Sequence, residues 1–266
     1  MKQTTLIKSA VLTGSALLTG LAFAGEPAAK APIECNESSG LDINFGVGYT
    51  DEYVFRGQNR GDDLFEASLT ASGSGSLLGL GDVNLSAGLW LGTWTQDLPT
   101  GQPTTPGLTN TNTAATLTPG GANEMRINLE ASKSFGSLDV AVGVTNYSFF
   151  GGFAGLGDFH EPYISVGTEL AGFDVGAVLY DTEDADDPYY EITIGRSVDL
   201  GNLSLNLGGV IGTLNEFDDT FYGISAALPL AVSDNITVSP HVSGIFGDTH
   251  SGDDEFTAGV NLGFGF

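Results

Sequence analysis

The sequence predicts an all-β protein, a single transmembrane antiparallel up-and-down β-barrel of about twelve strands. Segments of about ten residues or more alternate apolar side chains with glycine or small polar ones, as Leu41, Ile43 and Phe45 do with Asp42 and Asn44. Tight turns also alternate along the chain with longer connections that are acidic or of low complexity. Short turns on one side and long loops on the other are typical of outer-membrane barrels.

The first 24 residues predict a secretory signal peptide. Lys2 and Lys8 precede an apolar stretch that ends in Ala22-Phe23-Ala24, a small-x-small cleavage site. An anchoring helix is the alternative, but the apolar stretch is short for a membrane span, which needs about 20 residues. We therefore expect a signal peptide at 1–24, a periplasmic linker at 25–40, a barrel at 41–266 and a location in the bacterial outer membrane.

The strands follow one another in a regular order, because each apolar alternation stops at a turn or loop signal. We expect strands near 41–57, 63–77, 82–97, 123–135, 137–150, 159–171, 173–182, 188–199, 202–214, 219–230, 235–247 and 254–266. Every second connection is tight: LGLGD, FGS, AGF, DLGN and VSDN. The others include the Thr/Pro-rich stretch 98–122 and the acidic runs DTEDADDP, NEFDD and GDTHSGDDE. A soluble β-sandwich also alternates, but it would carry more Lys and Glu on its polar face.

The charge balance excludes one class of partner. The chain has 33 acidic and 8 basic residues and a net charge of -25, which becomes -27 once Lys2 and Lys8 leave with the signal peptide. Nucleic acid is therefore not an expected partner, because phosphate contacts need clustered Lys and Arg. Cys35 is the only cysteine and the three histidines lie far apart, so we expect no disulfide, no metal site and no cofactor.

Side-chain parity predicts what the lumen contains. If Tyr53 and Phe55 face lipid in an aromatic girdle, then Glu52 and Arg56 face inward. The same rule gives the full set of expected pore-lining residues: Glu52, Arg56, Glu66, Arg126, Glu130, Glu161, Glu169, Glu191 and His241. The arginines are expected to pair with some of the carboxylates. Such a network could line an open pore or plug a narrow barrel, and parity does not decide between the two.

A stretch of the first strand resembles a known family. In GYTDEYVFRGQNRG, the residues Tyr49 and Thr50 and the motif Tyr53, Val54, Phe55, Arg56, Gly57 are similar to the signature of the TorF-type porins. SAGLWLGTW and EMRINLEASKSFG resemble later blocks of that family. The resemblance implies a bacterial outer-membrane porin without a settled substrate. The final aromatic residue, Phe266, is similar to the signal that such barrels present to the barrel-assembly machinery.

Two other kinds of chemistry receive less support. His241 and Ser243 have the His-x-Ser spacing of outer-membrane phospholipase, but parity turns His241 inward, away from lipid. Carboxylates of the acidic runs at 181–187 and 248–255 could hold Ca²⁺ or Mg²⁺, but neither run has calcium-loop spacing. We therefore expect solvated loop tips there and no enzymatic activity.

The expected function is a passive diffusion channel for small hydrophilic solutes, with a preference for cations. The alternative is a structural or interaction barrel whose salt-bridged lumen conducts nothing. The expected partners are outer-membrane lipid and lipopolysaccharide, the barrel-assembly machinery, and small hydrophilic solutes or cations. The solute and the oligomeric state stay open.

Overall fold

The computed structural model describes residues 40–77, 81–95, 122–151, 158–181, 188–214, 217, 219–247 and 254–266. These residues form one antiparallel sheet. Its thirteen strands are β1 (Leu41–Phe55), β2 (Gln58–Leu77), β3 (Gly81–Thr95), β4 (Ala122–Phe135), β5 (Leu138–Gly151), β6 (Phe159–Leu170), β7 (Phe173–Tyr180), β8 (Tyr189–Asp199), β9 (Ser204–Leu214), β10 (Asp219–Ala227), β11 (Leu230–Ser233), β12 (Ile236–Gly247) and β13 (Glu255–Gly265). No helix among them is long and apolar enough to cross a membrane.

The sheet closes into a barrel. Every strand pairs with its neighbours in the chain except β10 and β11, which both pair with β12, and β1 pairs with β13. β11 continues β10 along the same partner strand, since Ala227 lies opposite His241 and Leu230 opposite Val238. The interruption falls at Pro229, which has no N–H to donate. Twelve transmembrane segments result, and the predicted fold class is confirmed.

The two ends of the barrel differ. At one end, which we call the turn end, short connections such as 136–137, 171–172, 200–203 and 234–235 join the strands. At the other, the loop end, β3 and β4, β5 and β6, β7 and β8, β9 and β10, and β12 and β13 are separated by longer stretches of sequence. β1 and β2 also meet on that side, through the two-residue turn at Arg56 and Gly57. The expected signal peptide at 1–24 and residues 25–39 of the expected linker lie outside the described residues, as does most of both acidic runs. Those predictions stay untested.

The outer face of the barrel is apolar. Large side chains such as Leu129, Ile192 and Ile224 are 54%, 56% and 61% exposed, and similar residues recur on nearly every strand. Soluble monomers rarely leave so large an apolar surface in water. A closed barrel with this outer face satisfies its backbone hydrogen bonds internally, which the hydrocarbon core of a membrane requires.

The first hairpin does not stay in the barrel wall. β1 pairs with β13 only as far as Thr50, whereas its pairing with β2 continues to Phe55. The register of β1 on β2 shifts between Tyr53 and Val54. Tyr53 and Val54 point to opposite faces of the ribbon, yet each is only 1% exposed. Both faces are therefore surrounded by protein, and residues 53–61, which we call the hairpin tip, bend into the lumen.

The prediction of a lipid-facing girdle at Tyr53 and Phe55 is therefore wrong. Parity tells which face of a ribbon a side chain occupies, but it assumes that the ribbon remains in the wall. A register irregularity bends a strand and removes that assumption. The outward aromatic pair of this hairpin is instead Tyr49 with Phe65, whose ring centroids are 5.0 Å apart.

The buried apolar core lies inside the barrel, around the hairpin tip. Its members come from strands on several sides of the lumen: Tyr53, Val54, Leu64, Trp90, Trp94, Tyr189, Val210, Phe221 and Ile245. Phe55, Tyr180 and Leu214 pack against them. This cluster holds the charged groups described next.

Candidate functional site in the barrel lumen

The hairpin tip turns at Arg56 and Gly57. Their φ angles of 50° and 73° are both left-handed, as a two-residue hairpin turn with the twist of the flanking strands requires. A Cβ atom at Gly57 would lie 2.7 Å from Cγ of Phe221 on β10. Only glycine can lie this close to Phe221, so the turn packs directly against β10.

Arg56 crosses the lumen. Its Nη1 and Nη2 donate to Oε1 and Oε2 of Glu161 on β6, each at 2.7 Å, and Glu161 is 0% exposed. The guanidinium carbon also lies 4.8 Å from the ring centroid of Tyr180 on β7 and 4.2 Å from that of Tyr189 on β8. These three strands stand opposite β1 in the closed barrel. In this state of the barrel the guanidinium of Arg56 is paired with a carboxylate, stacked on two rings and buried.

The charge on Arg56 is maintained by its surroundings. The bidentate contact with the carboxylate of Glu161 compensates the buried guanidinium charge.

Arg126 forms a second charged group beside the first. Its Nε donates to Glu124, its Nη2 donates to the hydroxyl of Tyr53, and that hydroxyl donates to Oε2 of Glu124 at 3.0 Å. The guanidinium carbon lies 4.5 Å from the ring centroid of Phe55 and 4.4 Å from that of Trp90. Phe55 also contacts Arg56, at 4.9 Å from its guanidinium carbon to the ring centroid. One ring of the hairpin tip therefore contacts both arginines.

A third arginine belongs to the same region. The guanidinium carbon of Arg60 lies 5.8 Å from the ring centroid of Phe55, and its carbonyl accepts a hydrogen bond of 2.9 Å from Nε1 of Trp94. Three of the four arginines of the chain thus meet in one place. We call this group the constriction, and its members are Tyr53, Phe55, Arg56, Arg60, Trp90, Trp94, Glu124, Arg126, Tyr147, Glu161, Tyr180, Tyr189 and Phe221.

Towards the turn end the interior holds carboxylates that bond to neutral donors. Nε1 of Trp90 donates to Oε2 of Glu66 at 2.7 Å, and the hydroxyl of Tyr163 donates to Oε2 of Glu130 at 2.9 Å. Over the described ranges, neither Glu66 nor Glu130 forms an ion pair with a basic side chain. These two carboxyl groups are therefore not in direct ion-pair contact with the arginines of the constriction.

The structure places the remaining expected pore-lining residues as follows. Glu52 is half-buried, and its Oε2 has no hydrogen-bond partner within the described part of the chain. Glu191 accepts a bond of 2.5 Å from the hydroxyl of Tyr189. Glu169 is exposed at the turn end, next to Asp174, away from the constriction.

His241 and Ser243 both point into the barrel. His241 is buried and lies 3.4 Å from Thr50, measured from Nε2 to Oγ1, and Ser243 lies 2.6 Å from Thr257 between their hydroxyl oxygens. A pair that cleaves membrane lipid would have to face lipid, and these two do not. Among the described residues no group of three or more His, Cys, Asp or Glu side chains is arranged to hold a metal ion.

Several members of the constriction were not expected from the sequence. Glu124 has the same parity as Arg126 and Glu130, so the alternation of β4 could have indicated it. Tyr147, Tyr180 and Tyr189 lie near strand ends, and nothing local in the sequence indicates that they meet Arg56 or Arg126. Their contacts depend on where the hairpin tip goes.

No family model and no curated protein sequence matches the chain. Among solved structures, outer membrane phospholipase A from Escherichia coli is similar, with a TM-score of 0.50 and 14% identity over 94% of this chain and 97% of that one. Salmonella typhi outer membrane phospholipase gives 0.50 and 16% over 94% and 97%. The KdgM porin gives 0.47 and 10% over 85% and 99%. The likeness to the phospholipases shows the fold alone, which is that of a bacterial outer-membrane barrel.

Proposed function

We propose that the protein is an outer-membrane channel for passive diffusion of small hydrophilic solutes, with a preference for cations. The observation that carries the proposal is the inner wall of a closed barrel on which, among the described residues, Glu66 and Glu130 accept hydrogen bonds from the neutral donors Trp90 and Tyr163 and form no ion pair. Carboxylates in a narrow, partly desolvated passage hold a negative potential, which concentrates cations and turns anions away.

The arginines of the constriction do not reverse this potential. Arg56 is engaged with Glu161 and Arg126 with Glu124, so two of the three positive charges have a carboxylate in direct contact. A solute that reaches the constriction therefore meets paired charges and aromatic rings. Below it, the solute meets the acidic wall, which supports cation preference over anion preference.

The proposal includes the surroundings of the barrel. The apolar outer face would contact outer-membrane lipid and lipopolysaccharide, and the barrel-assembly machinery would insert the chain after export. The resemblance of the Tyr53–Gly57 motif to the TorF-type porins supports the proposal of an outer-membrane channel. The motif itself forms the part of the hairpin that enters the lumen.

One observation favours a second candidate function. The hairpin tip reaches from β1 to β6, β8 and β10, and it fills the lumen with buried rings. If it never withdraws, the barrel conducts nothing and serves a structural or interaction role.

Single-channel recording in a planar bilayer separates the two. The full barrel is compared with a variant whose residues 53–61 are replaced by a short glycine-containing turn, and insertion is checked by the shift in gel mobility on boiling. We expect discrete current steps from the wild type and larger steps from the variant. A wild type that inserts and stays silent while the variant conducts would establish the non-conducting barrel instead.

A further inference from the structure

We propose that Glu161, Tyr180 and Tyr189 form a binding site for solutes that carry a guanidinium group, and that Arg56 occupies this site as a tethered ligand in the resting barrel. We call these three residues the Glu161 cage. The inference rests on the proposed function, because it names a class of solute for the same lumen.

The chemistry of the cage matches a guanidinium ion. Glu161 presents both oxygens side by side to two N–H donors of Arg56, each at 2.7 Å. Two aromatic rings flank the same cation, at 4.8 Å for Tyr180 and 4.2 Å for Tyr189. A planar fork of donors that also stacks on rings satisfies both contacts at once, whereas an ammonium group is a compact point charge without the planar fork that matches the two carboxylate oxygens.

The burial of Glu161 strengthens this preference. Its side chain is 0% exposed, and removing the cation from a buried ion pair is strongly unfavourable. When Arg56 leaves the cage, another cation that can reproduce its bonds is therefore favoured in its place. A guanidinium on a free solute does so without any rearrangement of the wall.

The tethered ligand can leave without unfolding the barrel. Arg56 lies at the end of a ribbon that has already separated from β13 after Thr50. At the base of that ribbon, Gly61 and Asp63 have positive φ angles. The register of β1 on β2 also shifts there, between Tyr53 and Val54. Withdrawal of residues 53–61 changes contacts of the tip and leaves the pairing of the other strands in place.

The test is to remove the tethered ligand and offer a free one. Arg56→Ala is purified in detergent micelles and titrated calorimetrically with methylguanidinium, methylammonium and neutral methylurea at millimolar concentrations. We expect methylguanidinium to bind this variant at least about tenfold more tightly than it binds the wild type, since a tethered competitor acts at an effective concentration in the millimolar range. Methylammonium should bind more weakly than methylguanidinium, and methylurea should not bind.

Three controls sharpen the result. The double variant Arg56→Ala, Glu161→Gln should lose methylguanidinium binding, because the carboxylate is gone. Arg196→Ala, which removes an exposed arginine beside Phe173 on a different part of the barrel, should behave like the wild type. Arg56→Lys provides a fallback if Arg56→Ala does not fold, and it should also bind methylguanidinium more tightly than the wild type does.

Failure of this inference is distinguishable from failure of the proposed function. Binding in micelles needs no conduction, so a silent bilayer would refute the channel and leave the cage intact. If folded Arg56→Ala and Arg56→Lys bind methylguanidinium no better than the wild type, or if Glu161→Gln makes no difference, the cage is not a guanidinium site. The same holds if methylammonium binds as tightly as methylguanidinium.

Discussion

At the scale of single residues, Tyr53 connects the hairpin tip to the charged wall. Its hydroxyl accepts from Arg126 and donates to Glu124, while its ring packs edge-on against Trp94 at 4.5 Å between centroids. One side chain therefore joins a buried ion pair to the apolar core. Such a hydroxyl is more than a packing element, because each charged group loses a partner when it is removed.

Tyr53→Phe tests that role. The ring and its packing remain, but Arg126 and Glu124 each lose one hydrogen bond in a buried environment. We expect the variant to be less stable by about 1–3 kcal/mol, the usual range when a buried polar group loses its partner. Urea-induced unfolding in lipid vesicles measures this loss. Tyr222→Phe is the matched control, because Tyr222 lies on the exposed outer face, and an equal loss in both variants would contradict the assigned role.

The ion pair between Arg56 and Glu161 gives a second prediction at this scale. Glu161→Gln leaves the buried guanidinium of Arg56 without its carboxylate. Breaking one partner of a buried pair costs about 3–5 kcal/mol. The double variant Arg56→Gln, Glu161→Gln should be less destabilised than the sum of the two single variants. A double-mutant cycle of unfolding free energies that shows strict additivity would mean that the two residues do not interact.

Parity predicted part of this residue-level picture. It places Arg126 and Glu130 inside the barrel because β4 stays in the wall from end to end. It does not identify ion-pair partners, since Arg56 and Glu161 are 105 positions apart in the chain. Only the closed barrel brings β6 opposite the hairpin tip, and no local pattern encodes that distance.

At the scale of elements, the first hairpin shows what periodicity can and cannot predict. Apolar alternation predicts both β1 and β2. In the structure these two strands pair with each other along nearly their whole length. The tip departs from this pattern, because a strand whose register shifts bends away from its sheet. Its new position is stabilised by contacts with β6, β7, β8 and β10, which are distant in sequence.

Two glycines with similar backbone angles test the docking of the tip. Gly57 has a φ of 73° and Gly136, in the β4–β5 turn, a φ of 70°. A Cβ at Gly136 would meet nothing within 4 Å, whereas one at Gly57 would overlap Phe221. Gly136→Ala should therefore lose only the left-handed strain of about 1–2 kcal/mol. Gly57→Ala should lose more, and its conductance in a planar bilayer should rise because the tip no longer rests against β10.

Equal unfolding free energies for the two alanine variants, with unchanged conductance, would show that the tip is not held at Phe221. A rise in conductance in Gly136→Ala as well would assign the effect to general loosening of the barrel instead.

At the scale of the whole molecule, closure follows from simple pairing between sequence neighbours. Each segment can pair with the next one through a tight turn or a loop, so number and order of strands are readable from the alternation and the turn signals. The seam between β1 and β13 completes the circle, with backbone bonds continuing to Phe266, whose N–H donates to the carbonyl of Ile43 at 3.0 Å. What the alternation does not encode is whether the lumen is open, because that depends on the path of one hairpin.

The charge of the lumen is a property of the whole molecule, and it gives the last prediction. The triple variant Glu52→Gln, Glu66→Gln, Glu130→Gln removes three inward carboxylates that form no ion pair with a basic side chain over the described residues. A matched control, Asp82→Asn, Asp199→Asn, Asp234→Asn, removes the same charge from exposed positions at the turn end. Both sets change the net charge equally, so any difference in ion selectivity between them is due to the position of the carboxylates.

Reversal potentials across a salt gradient measure the effect. The wild type should be cation-selective at about 0.1 M salt, the luminal triple variant should lose most of that selectivity, and the control variant should keep it. Selectivity should weaken in all three at about 1 M, because the Debye length falls from about 10 Å to about 3 Å and screens the wall charges. Anion selectivity in the wild type would refute the cation preference. If the luminal and control variants gave equal potentials, the selectivity would arise from overall charge and not from these three luminal carboxylates.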